Sequence, residues 1–285
     1  MQLYIYAKSG HSFGLENIRR ASALYNMLKD CDPTLCAADY RAATFAKQNL
    51  GTDKSVGVDT IGNMANVMKN RDILIYDDSG EASKTMQNHM QEYCKELFKV
   101  GRDIPYDIVD ETFFEKSVVS KQKVIFFADD DYATWFFNFI QTGSKKDIPF
   151  IKGHYFFLKN EDKTAEYFSE VLEEDEYIDT IKQTKYLLTA SVHSALESLA
   201  SENCPVFFKR GDKETTNFEL IEKYNIPVIE GENFDQLVEN FEKMIKNYPA
   251  TKTIKKYDIT EVKGKIEKIL KLFEGMIKPA LGYKF

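Results

Sequence analysis

The sequence lacks any block of consecutive basic residues. Its 38 lysines and arginines are scattered among 45 acidic residues, and the formal net charge is −7 at pH 7. Proteins that follow a nucleic-acid backbone cluster their basic residues, because they neutralise several phosphates at once. The composition therefore argues against a nucleic-acid partner. A phosphate that binds here has to be held locally, by a loop or by the N-terminus of a helix.

Cysteine is scarce, and long apolar runs are absent. The four cysteines form no CxxC pair and match no zinc spacing, so we expect reduced thiols and no metal. No run approaches the roughly 20 apolar residues that span a bilayer, and the first residues show no signal-peptide pattern. We therefore expect a soluble, cytoplasmic protein without an integral membrane segment. Its oligomeric state is left open.

Two series of short β-rich segments alternate with helical patterns along the chain. The first series opens at residues 3–7 and contains the apolar run DILIY, and the second opens at residues 124–128 with VIFFA. This alternation is typical of βαβ units and a mostly parallel sheet. The sequence therefore predicts an α/β protein with two such halves.

The pattern resets in a serine-rich, mixed-charge stretch near residue 118. We predict one domain over residues 1–118, a second over 119–257, and a final helix within 258–285. The patterns predict a helix at 82–99, a strand at 106–109, a strand at 154–158 and a helix at 164–172.

The connection KSGHSFGLENIRR after the first strand holds the first candidate residues. It contains His11, Gly14, Asn17 and Arg20, and a helix begins near Asn17. Such a loop exposes backbone N–H groups and the positive end of a helix dipole. It suits an anion or a sugar at the carboxyl edge of a parallel sheet, and the alternative is a structural turn.

The second candidate segment is a strand, a turn of small residues and a helix. Ser191, His193 and Ser194 lie where the helix begins. Glu197 follows Ser194 by three residues, which is the spacing of a capping box if Ser194 caps the helix. The functional alternative is that Glu197 accepts hydrogen bonds from a ribose diol.

Two further loops carry charged or polar residues. The segment KRGDKETTN at residues 209–217 either closes over a ligand or forms a solvated turn. Asp77 and Asp78 follow the strand DILIY. They either orient a sugar hydroxyl or act as a base, or they cap the following helix.

Together, these segments resemble the MurG-like proteins of the GT-B superfamily, and most closely the nucleotide-sugar hydrolase of pseudaminic acid biosynthesis. The matching stretches are GLENIRR at 14–20, LLTASVHSALESLASENCPVFF at 187–208 and ETTN at 214–217. The resemblance implies two Rossmann-like domains whose parallel sheets face a central cleft, with the last helix crossing back to the first domain. It also implies a nucleotide-sugar ligand, UDP-linked, and no cofactor.

The resemblance assigns roles by position. The implied ligand-binding residues are Gly14, Arg20, Ser191, His193, Ser194, Glu197 and Asn217. The implied catalytic group comprises His11, Asn17 and Asp77. The implied activity is a nucleotide-sugar-dependent glycosyltransferase or hydrolase of surface-glycan or nonulosonic acid biosynthesis.

Two departures weaken the enzymatic interpretation. The catalytic histidine of the family falls on Asn17, whose amide takes no proton at neutral pH, so His11 would have to substitute. The strand VIFFA runs into Asp129, Asp130 and Asp131, which would repel a diphosphate unless a metal or lysines intervened. The alternative is a GT-B-like binding protein that has lost its base.

Overall fold

The computed structural model describes residues 1–80, 82–131, 133–156 and 160–280. Within them the strands are β1 (Leu3–Ala7), β2 (Thr34–Ala37), β3 (Ser55–Gly57), β4 (Ile73–Asp77), β5 (Glu96–Lys99), β6 (Lys121–Phe126), β7 (Phe150–Ile151), β8 (Val171–Leu172), β9 (Thr184–Thr189), β10 (Cys204–Phe208) and β11 (Val228–Ile229). The α-helices are α1 (Glu16–Met27), α2 (Tyr40–Asn49), α3 (Lys84–Tyr93), α4 (Trp135–Ile140), α5 (Glu161–Ala165), α6 (Tyr177–Gln183), α7 (Val192–Ala200), α8 (Glu219–Lys223), α9 (Phe234–Lys246) and α10 (Thr260–Ala280).

The strands form two sheets. The first has the order β3-β2-β1-β4-β5 and the second has the order β11-β10-β9-β6-β7-β8. Every strand pair in both is parallel. All five residues of β1 and of β4 are buried, as expected for strands covered by helices on both faces. The predicted α/β class with two parallel sheets is confirmed.

Contacts group the chain into two compact units. Unit 1 comprises residues 1–8, 20–108 and those from Tyr257 onward, and unit 2 comprises Ser9–Arg19 and Val109–Lys256. The change between units thus falls at 108/109, ten residues before the 118/119 boundary taken from the sequence. Residues 9–19, which the sequence interpretation kept in the first domain, group with unit 2.

Aromatic side chains form much of the core of unit 2. Phe127 stacks on Phe136 with ring centroids 4.3 Å apart, and Phe136 stacks on Phe150 at 5.2 Å. Offset stacking of this kind adds to the stabilisation from burial alone. Because Phe127 directly follows β6 and Phe136 lies in α4, these contacts fix the loop of three aspartates between them.

Two predictions in the first half are wrong. The helix predicted over 82–99 ends at Tyr93, since Cys94 is extended, and the chain continues as β5. Leu97 and Phe98 then lie beside Leu74 and Ile75 of β4. The strand predicted at 106–109 is absent, because β5 already occupies the edge of the sheet next to β4.

Two predictions in the second half are also wrong. Residues 154–155 form a turn, and the pairing strand is β7, four residues upstream of the predicted start. Residues 157–159 lie outside the described part of the chain. The predicted helix at 164–172 is split into α5 and β8, which pairs with β7.

A close backbone approach at Gly153 sets the position of the loop after β6. A Cβ at this glycine would meet the carbonyl oxygen of Ala128 and lie 2.8 Å from Asp129 Cα. Tyr155 N–H donates to the Asp129 carbonyl at 2.7 Å, so the two segments are tied together. A side chain at Gly153 would therefore displace backbone rather than a flexible side chain.

We expect Gly153→Ala to lower the free energy of unfolding by about 1–3 kcal/mol, the usual effect of overpacking a core. Gly264→Ala on α10 is the matched control, because a Cβ there meets nothing within 4 Å. That variant should gain up to about 1 kcal/mol from helix propensity. Denaturant unfolding of both variants checks this, and equal effects would show that the approach at Gly153 is not tight.

Candidate functional site

The candidate site lies at the carboxyl ends of three neighbouring strands of unit 2. β10, β9 and β6 are adjacent in the sheet, and they are followed by the loops that begin at Lys209, Ala190 and Phe127. Carboxyl ends of parallel strands meet at one edge, where open α/β sheets bind their ligands. This edge brings together the second and third candidate segments and the three aspartates.

Each of the three consecutive aspartates has its own partner. Asp129 pairs with Arg19, Asp130 pairs with Arg210, and Asp131 accepts the N–H groups of Phe136 and Phe137. All three aspartates are at most 4% exposed. Buried carboxylates are tolerated only when paired or hydrogen-bonded, and here that condition is met in three different ways.

A buried network surrounds the start of α7. Arg19 donates to both carboxylate oxygens of Asp129, from Nη2 at 2.9 Å and from Nε at 3.3 Å. Its guanidinium lies 3.7 Å from the ring centroid of Tyr177. The Tyr177 hydroxyl is hydrogen-bonded to Glu197 Oε2 and, at 2.6 Å, to Ser194 Oγ. His193 Nε2 lies 3.5 Å from Glu197 Oε1.

The charge state of Glu197 follows from this network. Burial raises the pKa of the Glu197 carboxyl to about 8, although Arg19 and the Tyr177 hydroxyl oppose the rise. Burial, followed by the nearby Glu197, also raises the pKa of Tyr177 well above its ordinary value, so the phenol stays protonated. The Arg19 guanidinium is hydrogen-bonded to Asp129 and only partly offsets the effect of burial on the pKa of Glu197. Glu197 therefore holds a proton at neutral pH.

The cap of α7 is Ser191, not Ser194. Ser191 Oγ accepts from Ser194 N–H at 3.1 Å, which is the usual N-cap geometry. Ser194 Oγ donates to the same oxygen at 2.9 Å. The capping-box reading of Glu197 is therefore wrong, since its side chain bonds Tyr177 instead of a backbone N–H.

A second group of charges lies on the loop after β10. Arg210 Nη1 donates to Asp130 Oδ2 at 2.9 Å and to the Asp130 carbonyl at 3.2 Å. Its other nitrogens bond Asp212, and its guanidinium lies 4.5 Å from the centre of the Phe127 ring. Lys213 Nζ contacts both Asp130 oxygens, at 2.8 and 2.9 Å.

A small cavity of about 40 Å³ adjoins this group. The lining residues are Phe13, Gly14, Leu15, Glu16, Ala128, Asp129, Asp130, Ala190, Val192, Arg210, Lys213, Glu214, Thr215 and Thr216. The predicted residues Ser191, His193, Ser194 and Glu197 do not line it, and each is at most 2% exposed.

Residues 9–19 supply three more of the predicted residues. Gly14 has a φ of +73°, and a Cβ there would lie 3.2 Å from Asp130 Oδ1, so both its conformation and its surroundings favour glycine. Asn17 is 7% exposed. His11 is exposed, and its ring centroid lies 5.2 Å from that of Tyr155.

The predicted residues Arg20 and Asp77 form an ion pair inside unit 1. Arg20 Nε lies 2.7 Å from Asp77 Oδ2, and both side chains are 2% exposed. Burial raises the pKa of the Asp77 carboxyl, and Arg20 offsets part of that rise. Asp78 accepts the N–H groups of Gly80 and Ala82, so it shapes the turn, while Ser83 caps α3.

Asn217 precedes α8 with a φ of 58°, a left-handed conformation that asparagine tolerates well. Its carbonyl accepts from Leu220 N–H at 3.0 Å.

The sequence did not single out Arg19, Tyr177 or Lys213. Arg19 and Asp129 are 110 residues apart, and Lys213 and Asp130 are 83 residues apart. The only sequence signal was the acidic run itself, which required positive partners from elsewhere.

Within the described residues, no three His, Cys, Asp or Glu side chains are grouped as metal ligands would be. In the same part of the chain, every helix is too short or too polar to span a bilayer.

The sequence matches no protein-family model and no curated protein. The fold is similar to that of the UDP-GlcNAc 2-epimerase of Methanocaldococcus jannaschii in complex with UDP-GlcNAc and UDP. The TM-score is 0.56 at 12% identity, over 95% of this chain and 100% of the other. The heptosyltransferase WaaC of E. coli with ADP gives a TM-score of 0.47 at 12% identity, over 86% and 99%. The two parallel sheets and the similarity to the epimerase show a GT-B-type fold of two α/β units.

The raised pKa of Glu197 predicts a pH-dependent difference between the wild type and Glu197→Gln. The folded chain keeps a proton up to about pH 8 that the unfolded chain releases near its ordinary pKa of 4.5. The wild type should therefore lose stability relative to the variant as pH rises through this window, by roughly 1 kcal/mol per pH unit. Above pH 8 the difference should become constant.

Denaturant unfolding at several pH values measures this difference. Glu170→Gln is the control, because Glu170 is an exposed carboxylate of the same unit whose side chain is 56% exposed. That variant should follow the wild-type pH dependence. If the free energy of unfolding of Glu197→Gln changed with pH in parallel with that of the wild type, Glu197 would be ionised in the folded protein.

Proposed function

We propose that this protein binds a nucleotide-sugar, UDP-linked, at the carboxyl edge of β6, β9 and β10 in unit 2. We further propose that it acts on this ligand as a glycosyltransferase or as a hydrolase. The observation that carries the proposal is the cavity at this edge, bordered by the start of α7 and by basic side chains of the loop after β10. Residues 187–208 and 214–217 resemble the donor-binding motifs of MurG-like proteins. The first range runs from β9 through α7 to the end of β10, and the second lies in the loop after β10.

A solved structure with a similar fold supports the proposed ligand class. The M. jannaschii epimerase was solved with UDP-GlcNAc and UDP, and the similarity covers 95% of this chain. Fold alone fixes no activity, so the ligand class has to be carried by the site. A GT-B site needs no bound metal, because N–H groups at a helix start and basic side chains stabilise the departing diphosphate.

The proposed roles follow from the positions of the side chains. Glu197 accepts the ribose hydroxyls, which requires that a ligand hydroxyl replace Tyr177 as its hydrogen-bond partner. Its carboxylate form is the better acceptor, because hydrogen bonds to a charged group are stronger. His11 serves as the base toward an acceptor or water, because it is exposed on the loop before α1, and Asn17 in the first turn of α1 takes the position of the family histidine.

The sequence motifs favour two more specific forms of this function. One is the nucleotide-sugar hydrolase activity of pseudaminic acid biosynthesis, and the other is a role in surface-glycan synthesis more broadly. A non-catalytic binding protein is the second candidate function. The observation that favours it is Asn17, which is 7% exposed and cannot take a proton at neutral pH. Both the enzyme and the binding protein would bind a nucleotide-sugar, and only the enzyme would turn it over.

A calorimetric titration of the full chain with UDP, GDP, CMP, ADP and their sugar conjugates tests the ligand. At pH 8.5 we expect one nucleotide family to bind, and Glu197→Gln to bind it about tenfold more weakly, since a charge-assisted hydrogen bond is lost. Glu170→Gln should bind as the wild type does. Absence of binding by every nucleotide would refute the proposal.

Substitution of His11 separates catalysis from binding. If His11 is the base, His11→Ala should bind the same nucleotide-sugar with unchanged affinity and lose about 10²–10⁴-fold in turnover. Release of nucleoside diphosphate, measured with and without sugar acceptors, gives the rate. Equal turnover in both proteins would remove His11 from the mechanism, and no turnover in the wild type would favour the binding protein.

A further inference from the structure

Asp130 is held more tightly by cations than its neighbours are. Lys213 contacts both of its carboxylate oxygens, and Arg210 contacts one oxygen and the backbone carbonyl. The carboxylate is therefore bound by two basic side chains from one loop at the ligand-binding edge of the sheet. A phosphoryl group offers the same arrangement of anionic oxygens, and Arg and Lys recognise both groups in the same way.

We propose that the Asp130 carboxylate occupies a phosphoryl-binding position formed by Arg210 and Lys213, so that a phosphoryl ligand binds only when Asp130 leaves these cations. This inference rests on the proposed function for its biological ligand, a nucleoside diphosphate. The site itself is defined by the geometry of unit 2 and can be tested without any nucleotide.

The space beside Asp130 is too small for a ligand as it stands. The cavity measures about 40 Å³, whereas a site for one water needs about 10–15 Å³, so it has room for a few water molecules and none for a nucleotide. A phosphoryl group reaches both Arg210 and Lys213 only by taking the place of the Asp130 carboxylate, because both side chains already contact it.

The charges lead to the same conclusion. Arg210 and Lys213 carry two positive charges, and Asp130 and Asp212 carry two negative charges, so the group is neutral. A phosphoryl dianion added to this group would face two carboxylates at short range, which is unfavourable in a buried setting. Departure of Asp130 removes one of them and frees both cations.

The loop is built so that the Asp130 side chain can turn without unfolding. Asp129 is fixed by Arg19 on one side, and Asp131 is fixed by the N–H groups at the start of α4 on the other. Arg210 would stay in place, because it also bonds Asp212 and the Asp130 carbonyl. Lys213 is the more exposed of the two partners, with a side chain that is 35% exposed.

Titration with inorganic pyrophosphate at low ionic strength, in the presence of a chelator, tests the proposal. Asp130→Asn removes the competing charge at almost unchanged size. We expect it to bind pyrophosphate about tenfold more tightly than the wild type. Asp235→Asn is the control, since Asp235 is an exposed aspartate of the same unit that also pairs with a lysine, Lys146. It changes the net charge equally and should bind as the wild type does.

The double variant Asp130→Asn with Lys213→Gln should lose the tighter pyrophosphate binding of Asp130→Asn. No gain in Asp130→Asn, an equal gain in Asp235→Asn, or a gain that survives loss of Lys213 would each overturn the proposal and leave a structural ion pair. If Asp130→Asn does not fold, Lys213→Gln alone decides the question. It should weaken pyrophosphate binding in the wild-type background, and unchanged binding would overturn the proposal.

The result is independent of the proposed function. If the protein binds no nucleotide-sugar but Asp130→Asn binds pyrophosphate more tightly, the phosphoryl site stands and the proposed nucleotide-sugar function fails. If the protein binds a nucleotide but Asp130→Asn shows no such gain, the proposed function stands and the phosphoryl site fails.

Discussion

The burial of three consecutive carboxylates after β6 is the constraint on which the rest of unit 2 depends. Asp129, Asp130 and Asp131 would repel one another and lose hydration if left without partners. The fold brings a different partner to each: an arginine from the segment 9–19, two cations from the loop after β10, and the N–H groups at the start of α4. Three distant segments are thereby joined at one edge of the sheet.

The same constraint explains the protonation of Glu197. Arg19 is the arginine of this buried network, and it donates two hydrogen bonds to Asp129. Glu197 therefore receives only a weaker, longer-range share of that charge, and burial keeps its proton on. Glu197 is hydrogen-bonded to the Tyr177 hydroxyl instead, and that hydroxyl also bonds Ser194 Oγ.

The sequence predicted the parallel α/β class because buried strands and amphipathic helices have distinct local patterns. It failed where two patterns overlap. Met86, Met90, Tyr93 and Leu97 keep a helical spacing across the end of α3, so the short strand β5 was read as helix. The sequence predicted which segments contribute to the candidate site, but it did not predict the ion pairs and hydrogen bonds that join them. Ion pairs such as Arg19 with Asp129 join residues more than a hundred positions apart, and no local pattern encodes them.

Similarity at 12% identity shows the fold alone, so specificity has to come from the side chains of the site. Arg210 and Lys213 are already paired with carboxylates, and Glu197 is already bonded to Tyr177. Binding of the proposed ligand would therefore be an exchange, in which each contact with these side chains replaces one that the protein already makes. The net affinity is then the difference between two sets of similar interactions. Selectivity follows, because a ligand that satisfies only part of the set leaves a buried charge or hydroxyl unpaired. Under the proposed function, the carboxylates would select ligands by charge as well as support the fold.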